Sequence, residues 1–279
     1  MINAQGPDVS AWDGGPTEDP QVIDFVTFPL ANDFCIIKVS EGLVKDRLFD
    51  RQWGAAKGKT ARMAYHFWRS FVDQKRAVQN MLGFLGNDAG EMPVALDIEA
   101  ADNSTSVASL GDVWISEYHR LTGLWPIFYS YPYFMAEHGF GAKNIWGAYK
   151  HPLLRNCKLW LGQWPFDELE SMPGYDVHGD LLRAVLIDEV IRGERALTWP
   201  RPLEPFQKVD FWQWTSRYPP SRIPGYYTGP NHKEAVDMNI SSLSRIAFQA
   251  LYPISHPPQS KVKELVVNTP DGPIVFRPG

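Results

Sequence analysis

The stretch MPVALDIEA, residues 92–100, decides how this 279-residue chain is read. Val94, Ala95 and Leu96 form a short apolar run of buried-strand type that ends in two carboxylates, Asp97 and Glu99. Successive strand side chains alternate between faces, so the i/i+2 spacing puts both acids on one face, about 6–7 Å apart by strand rise. Like charges that close repel, and one of the pair is expected to hold its proton near neutral pH. One motif then supplies an acid and a base. From these residues alone, a pair of solvated acids at a strand end and a cation site both stay open.

Working outward, short apolar runs recur between helical patterns. Strands are expected at 7–12, 34–40, 64–68, 94–99, 127–131, 159–164, 211–215 and 235–240, with helices at 46–57, 72–85, 106–121 and 133–138. In the third helix Val107, Leu110, Val113, Trp114, Tyr118 and Leu121 fall on one stripe. Eight strands with crossovers in about 250 residues fit a closed barrel better than an open sheet. Between Trp164 and Phe211 lies a long excursion carrying an amphipathic pattern at 180–194, which predicts an ordered insertion rather than a bare loop. Beyond Tyr252, Pro253, Pro257 and Pro258 make a stiff linker, and KELVVNTPDGPIVF reads as a hairpin that docks on the barrel. The expected division is a barrel over residues 1–253, with its insertion at about 165–208, and a tail over 254–279.

Other strand ends add acids: Asp8 on the first strand, Glu41 after the second and Asp237 on the eighth. A closed barrel brings these ends together with Asp97 and Glu99. Five acids at one rim, with no lysine there, are electrostatically costly unless the site uses them. A divalent metal is the main competing explanation, but the cluster offers no pair of histidine ligands. Aromatic residues also gather at strand ends, namely Trp12, Tyr65 with Phe67, Tyr129 with Tyr131, Trp160 with Trp164, and Trp212 with Trp214. Together they read as sugar-stacking walls around paired acids, the specification of a glycoside hydrolase. His66 points away from Tyr65 and Phe67 by parity and reads as structural.

Composition narrows the classes further. With 27 Lys+Arg against 32 Asp+Glu the net charge is −5, which argues against a nucleic-acid surface. No apolar run reaches the length of a membrane span, and the N-terminus shows no Sec-type signal, so synthesis is expected to stay cytoplasmic. Cys35 and Cys157 read as reduced core thiols. No phosphate-binding loop, dinucleotide fingerprint or G-x-S-x-G occurs.

The order GPDVSAW, FCIIKVSEG, AYHFW, VALDIEA, IFYSY, LWLGQW, FWQWTS and VDMNI resembles the glycoside hydrolase family 25 lysozymes, the Chalaropsis-type N-acetylmuramidases, over about residues 5–250. The resemblance implies an α/β fold, an irregular TIM-like (β/α)5(β)3 barrel, here with a helical insertion before the seventh strand and a short C-terminal hairpin. It implies cleavage of the β-1,4 bond between N-acetylmuramic acid and N-acetylglucosamine with net retention. Glu99 falls on the general acid, and Asp97 on its partner, either nucleophile or the group that orients the 2-acetamido. Asp8 and Asp237 fall in the active-site carboxylate set, and Tyr65 and Tyr129 on groove-lining positions. Phe67, Trp164, Gln213 and Glu41 complete the expected substrate-binding set. The expected partner is a peptidoglycan strand, with no cofactor, metal, nucleic acid or membrane insertion. A phage endolysin reaching the wall through a holin-made hole is the favoured setting. A non-catalytic glycan-binding barrel and a hydrolase of another β-linked amino-sugar polymer are the competing readings.

Overall fold

Nine strands, most of them buried on both faces, build the frame of the molecule. The computed structural model describes residues 3–14, 22–25, 33–164, 189–194, 197–218, 236–254, 265–269 and 272–276. Strands β1 (Asn3–Val9), β2 (Phe34–Glu41), β3 (Val44–Lys45), β4 (Ala61–Phe67), β5 (Ala95–Asp97), β6 (Ile127–Ser130), β7 (Lys158–Gly162), β8 (Phe211–Tyr218) and β9 (Val236–Ser244) make one sheet. Helices α1 (Phe49–Ala56), α2 (Gln74–Leu85), α3 (Val107–Thr122) and α4 (Pro132–Glu137) alternate with them, and α5 (Arg245–Leu251) follows β9.

Pairing of β1 with both β2 and β9 closes eight strands into a ring, and β3 lies outside it as the hairpin partner of β2. Within the ring, the pairs from β1 round to β8 are parallel, whereas β9 is antiparallel to both its neighbours. The expected irregular barrel is therefore the fold. The first strand is displaced from its expected place: it starts at Asn3 and ends at Val9, and Ala11–Gly14 is a 3-10 turn. Asp13 ends the strand by accepting from the Ser10 backbone N–H (2.5 Å) and Oγ (3.1 Å), a local bond that competes with the ladder.

Strand parity separates two cores. Phe34, Ile36, Met63, Ala95, Ile127 and Phe211 fill the barrel, while Cys35, Ile37, Val39, Leu96, Phe128 and Leu159 pack outward beneath the helices. Phe248 of α5 plugs the barrel floor against Phe34, with ring centroids 5.2 Å apart. On α3, Val107, Trp114 and Tyr118 are buried as expected, but Val113 is 38% exposed. It precedes Trp114 by one residue, about 100° around the helix, and so leaves the stripe.

Of the insertion helix expected at 180–194, residues 180–188 lie outside the described residues; Val190 and Ile191 join the outer core. The tail forms the expected hairpin, β10 (Leu265–Thr269) antiparallel to β11 (Gly272–Phe276). Its docking lies outside what the described residues cover. Cys35 and Cys157 are both free and buried. Among the described residues no helix is long and apolar enough to cross a membrane.

Candidate active site

The parity argument for the acid pair holds. Asp97 is the register partner of Phe67 on β4 and of Tyr129 on β6. One step on, the Ile98 N–H donates to the Tyr129 carbonyl (3.1 Å), which carries the ladder past β5. Ile98 turns into the outer core and Glu99 returns to the inner face, where its carboxylate hydrogen-bonds the inward Tyr129. Asp237 arrives by a different route from the other acids. Because β9 runs antiparallel, its first residues lie at the rim where the parallel strands end, and Asp237 is the register partner of Asp8. Tyr129 lies within the field of Glu99, Asp97, Asp237 and Asp8 together.

An amide network holds this cluster. Gln213 donates through Nε2 to Asp8 Oδ2 (3.0 Å) and Asp237 Oδ2 (3.2 Å), while its Oε1 accepts from the Tyr129 hydroxyl (2.8 Å). Asn239 donates through Nδ2 to Asp8 (2.7 Å) and accepts from Trp160 Nε1 (2.8 Å). Gly162 keeps the space for this arrangement, since a Cβ there would stand 2.8 Å from the Tyr129 hydroxyl oxygen.

Burial controls protonation. It pushes Asp8 up to about 7, with hydrogen bonds from Asn239 and Gln213 working against it. Asp97 is raised well above the ordinary carboxylate range by burial and then by the charge of Glu99, and the Lys38 ammonium opposes both. Glu99 is raised by burial against the pull of Lys38. Asp97 Oδ1 is buried without a hydrogen-bond partner. A buried acceptor in that state is costly unless a ligand satisfies it.

The rim is not free of lysine. Lys38 is buried there and bonds Glu41 Oε2 (2.7 Å), and Arg69 bonds Glu41 Oε1 (2.6 Å) and Asp102 (2.9 Å). Burial pushes Glu41 up, but Lys38 and Arg69 outweigh it and hold it below its ordinary value. An irregularity in the β2–β4 register between Lys38 and Ser40 makes the pair possible. In a regular strand i and i+3 face opposite sides; an extra residue brings them together.

The aromatic residues divide differently from the walls expected. Tyr65, Tyr129 and Trp160 are buried as a floor inside the barrel, with Tyr129 and Trp160 centroids 4.3 Å apart. Trp212 and Trp214 face the outer core, because on β8 it is Phe211 and Gln213 that point inward. Phe67 is half-buried, with Lys38 Nζ and the Arg69 guanidinium 4.6 and 4.8 Å from its ring centre. Trp164 and Tyr131 are half-buried; the side chain of Trp12 lies outside the described residues. His66 is structural: Nδ1 meets Ser40 Oγ (2.9 Å), the ring stacks on Trp114, and burial pushes its pKa down to about 3.

Sequence reasoning missed Lys38, Arg69 and Asn239. Lys38 had a signal, since it shares the parity of the inward Ile36 within an apolar run. Among the described residues, no three His, Cys, Asp or Glu side chains are grouped so as to hold a metal ion.

A closed barrel with carboxylates of raised proton affinity at the ends of its parallel strands is the arrangement of a barrel hydrolase. The family model described as glycosyl hydrolases family 25 matches residues 8–223, and the chain belongs to that family. Among solved structures, a bacterial lysozyme from Streptomyces coelicolor is similar at 18% identity, with 92% of this chain and 100% of that one covered and a TM-score of 0.60. A family 25 lysozyme from Aspergillus fumigatus gives 18% identity, 90% and 99% coverage and a TM-score of 0.58. The catalytic domain of an endolysin from a Listeria monocytogenes bacteriophage gives 17%, 90%, 98% and 0.56. At such identities the likeness is one of fold. Comparison with curated proteins returns no match.

Proposed function

We propose that the chain is a muramidase that cleaves the β-1,4 bond between N-acetylmuramic acid and N-acetylglucosamine in peptidoglycan. The observation that carries this reading is the half-buried Glu99 beside the buried Asp97, both with raised proton affinity, on a rim built to hold acids. Glu99 keeps its proton and passes it to the leaving glycosidic oxygen as general acid. Asp97 lies on the inner face beside Glu99, as the register partner of Tyr129, and would reach the sugar through its carboxylate. Accepting the N–H of the 2-acetamido group there would turn the acetamido oxygen toward the anomeric carbon. Attack from one face by that oxygen, then by water from the other, gives net retention.

Asp8 and Asp237, bridged by Gln213, complete the cluster, and their negative field when ionised stabilises positive charge developing on the sugar. Tyr65 and Tyr129 form the floor beneath the reacting unit, and Trp164, Phe67 and Glu41 its flanks. We assign residues 1–253 to the catalytic barrel and 254–279 to an appended tail. The bacterial wall is the place of action, and a phage lysin is the setting we favour.

Product analysis tests the reading. Purified walls are digested, the new ends reduced with borohydride, and the fragments weighed by mass spectrometry. The expected ends are reduced muramic acid. Reduced glucosamine ends would assign the enzyme to another bond and overturn the proposal.

A further inference from the structure

Beside the acid cluster, the β2–β3 hairpin and the loop from β4 to α2 enclose a cavity of about 500 Å³. In the sheet β2 lies two strands from β5, about 10 Å at ordinary strand spacing. The cavity shares a wall with the catalytic rim: Lys38 and Arg69 line it, both stand over the Phe67 ring, and both charges act on Glu99. Its ionic groups are matched. Glu41 holds Lys38 (2.7 Å) and Arg69 (2.6 Å), Asp102 also holds Arg69 (2.9 Å), and Asp50 holds Lys45 (2.6 Å). Asp46 accepts from the backbone N–H groups of Ala11 (3.0 Å) and Leu48 (2.9 Å) and lies in the field of Arg47. Such a lining offers hydrogen-bonding groups without favouring a charged ligand. Val44 and Phe71, 71% and 73% exposed, open onto the same space. An open aromatic ring beside charge-balanced polar groups suits a neutral ligand with an apolar face and many hydroxyls.

We propose that this cavity is a subsite for an N-acetylglucosamine unit of the glycan strand, outside the pair of sugars being cleaved. The C–H face of that ring would lie on Phe71, its acetamido methyl against Val44 and its hydroxyls on Glu41 and Arg69. N-acetylglucosamine is the neutral sugar of the strand. Muramic acid brings a lactyl carboxylate, or the peptide attached to it, for which a balanced lining offers no counter-charge. The consequence is a preference for long strands over short ones at each scissile bond. The proposal rests on the muramidase reading above and extends it to a second place along the strand.

The test measures kcat/KM per scissile bond on amidase-treated strands separated by length into tetrasaccharides and octasaccharides. The longer strand is expected to be favoured about tenfold, the scale of one aromatic contact. That ratio is expected to be the same at low and high salt, because a neutral ligand is not screened. Phe71→Ser and Val44→Ser, both at exposed positions, are expected to move the ratio toward one, and Phe71→Tyr to keep it. A ratio near one in the parent, a ratio unchanged in both serine variants, or a ratio that collapses in high salt overturns the proposal and leaves the muramidase reading standing. Cleavage of neither length, nor of intact walls, overturns the muramidase reading and the proposal with it.

Discussion

Asp8 and Asp237 are register partners across the β1–β9 ladder, and a single amide, Gln213 Nε2, donates to an oxygen of each at 3.0 and 3.2 Å. One donor shared between two acids fixes their spacing and offsets their repulsion. Gln213→Leu removes that bridge together with the acceptor of the Tyr129 hydroxyl. Activity on purified walls is expected to fall about 100-fold, the scale of a misplaced catalytic group. Activity within a factor of two of the parent would show that the bridge does not position the site.

Asp8 also makes stability depend on pH. Its folded pKa, about 7, lies above the ordinary 3.8, so the folded state binds this proton more tightly than the unfolded chain does. The stabilisation is fully present below about pH 4 and is lost as pH rises through 7. Asp8→Asn cannot lose a proton there. Its Tm is expected to match that of the parent near pH 4 and to exceed it by several degrees at pH 8, while activity drops. A Tm gap that does not widen with pH would contradict this account of Asp8.

Lys38 tunes the acid pair, because its charge opposes the raised proton affinity of both Asp97 and Glu99. Removing it in Lys38→Met raises both affinities further. Both limbs of the pH profile of kcat/KM then move to higher pH, since Asp97 ionises later and Glu99 keeps its proton longer. Lys38→Arg retains the charge and is expected to restore the parent profile. A loss of rate without displacement of the profile in Lys38→Met would mean that the lysine acts only by packing.

The opposite end of the barrel carries a structural ion cluster. Arg62, 1% exposed, bonds Glu91 through Nε (3.0 Å) and Nη2 (2.9 Å) and Asp88 through Nη1 (2.9 Å) and Nη2 (2.7 Å). Arg62→Met leaves the buried Glu91 carboxylate without its partner, at a cost of about 3–5 kcal/mol. Denaturant unfolding measures it. A change under about 1 kcal/mol would show that water replaces the arginine there.

The parts of this architecture that depend on strand parity were legible in the sequence. Asp97 and Glu99 share a face because two residues separate them on a strand, and His66 was correctly turned away from the site for the same reason. The parts set by irregularity were not. The Lys38–Glu41 pair depends on a break in strand register that no residue pattern announces, and it converts an expected all-acid rim into a charge-balanced one. Aromatic content places Trp212 and Trp214 near the site without revealing their facing; their parity relative to the inward Gln213 carries that information. Asp237 was found from its motif, but its place at the rim depends on the reversed direction of β9, which lies in the connection rather than in the strand.

The central claim is that Glu99 delivers the proton that breaks the glycosidic bond. The direct measurement is the rate at which new reducing ends appear from purified peptidoglycan with the parent and with Glu99→Gln, alongside a wall-binding assay and Tm for each. The account predicts that Glu99→Gln binds walls and folds as the parent does while its rate falls by about 1000-fold. A folded Glu99→Gln protein that releases reducing ends at the parent rate would contradict it.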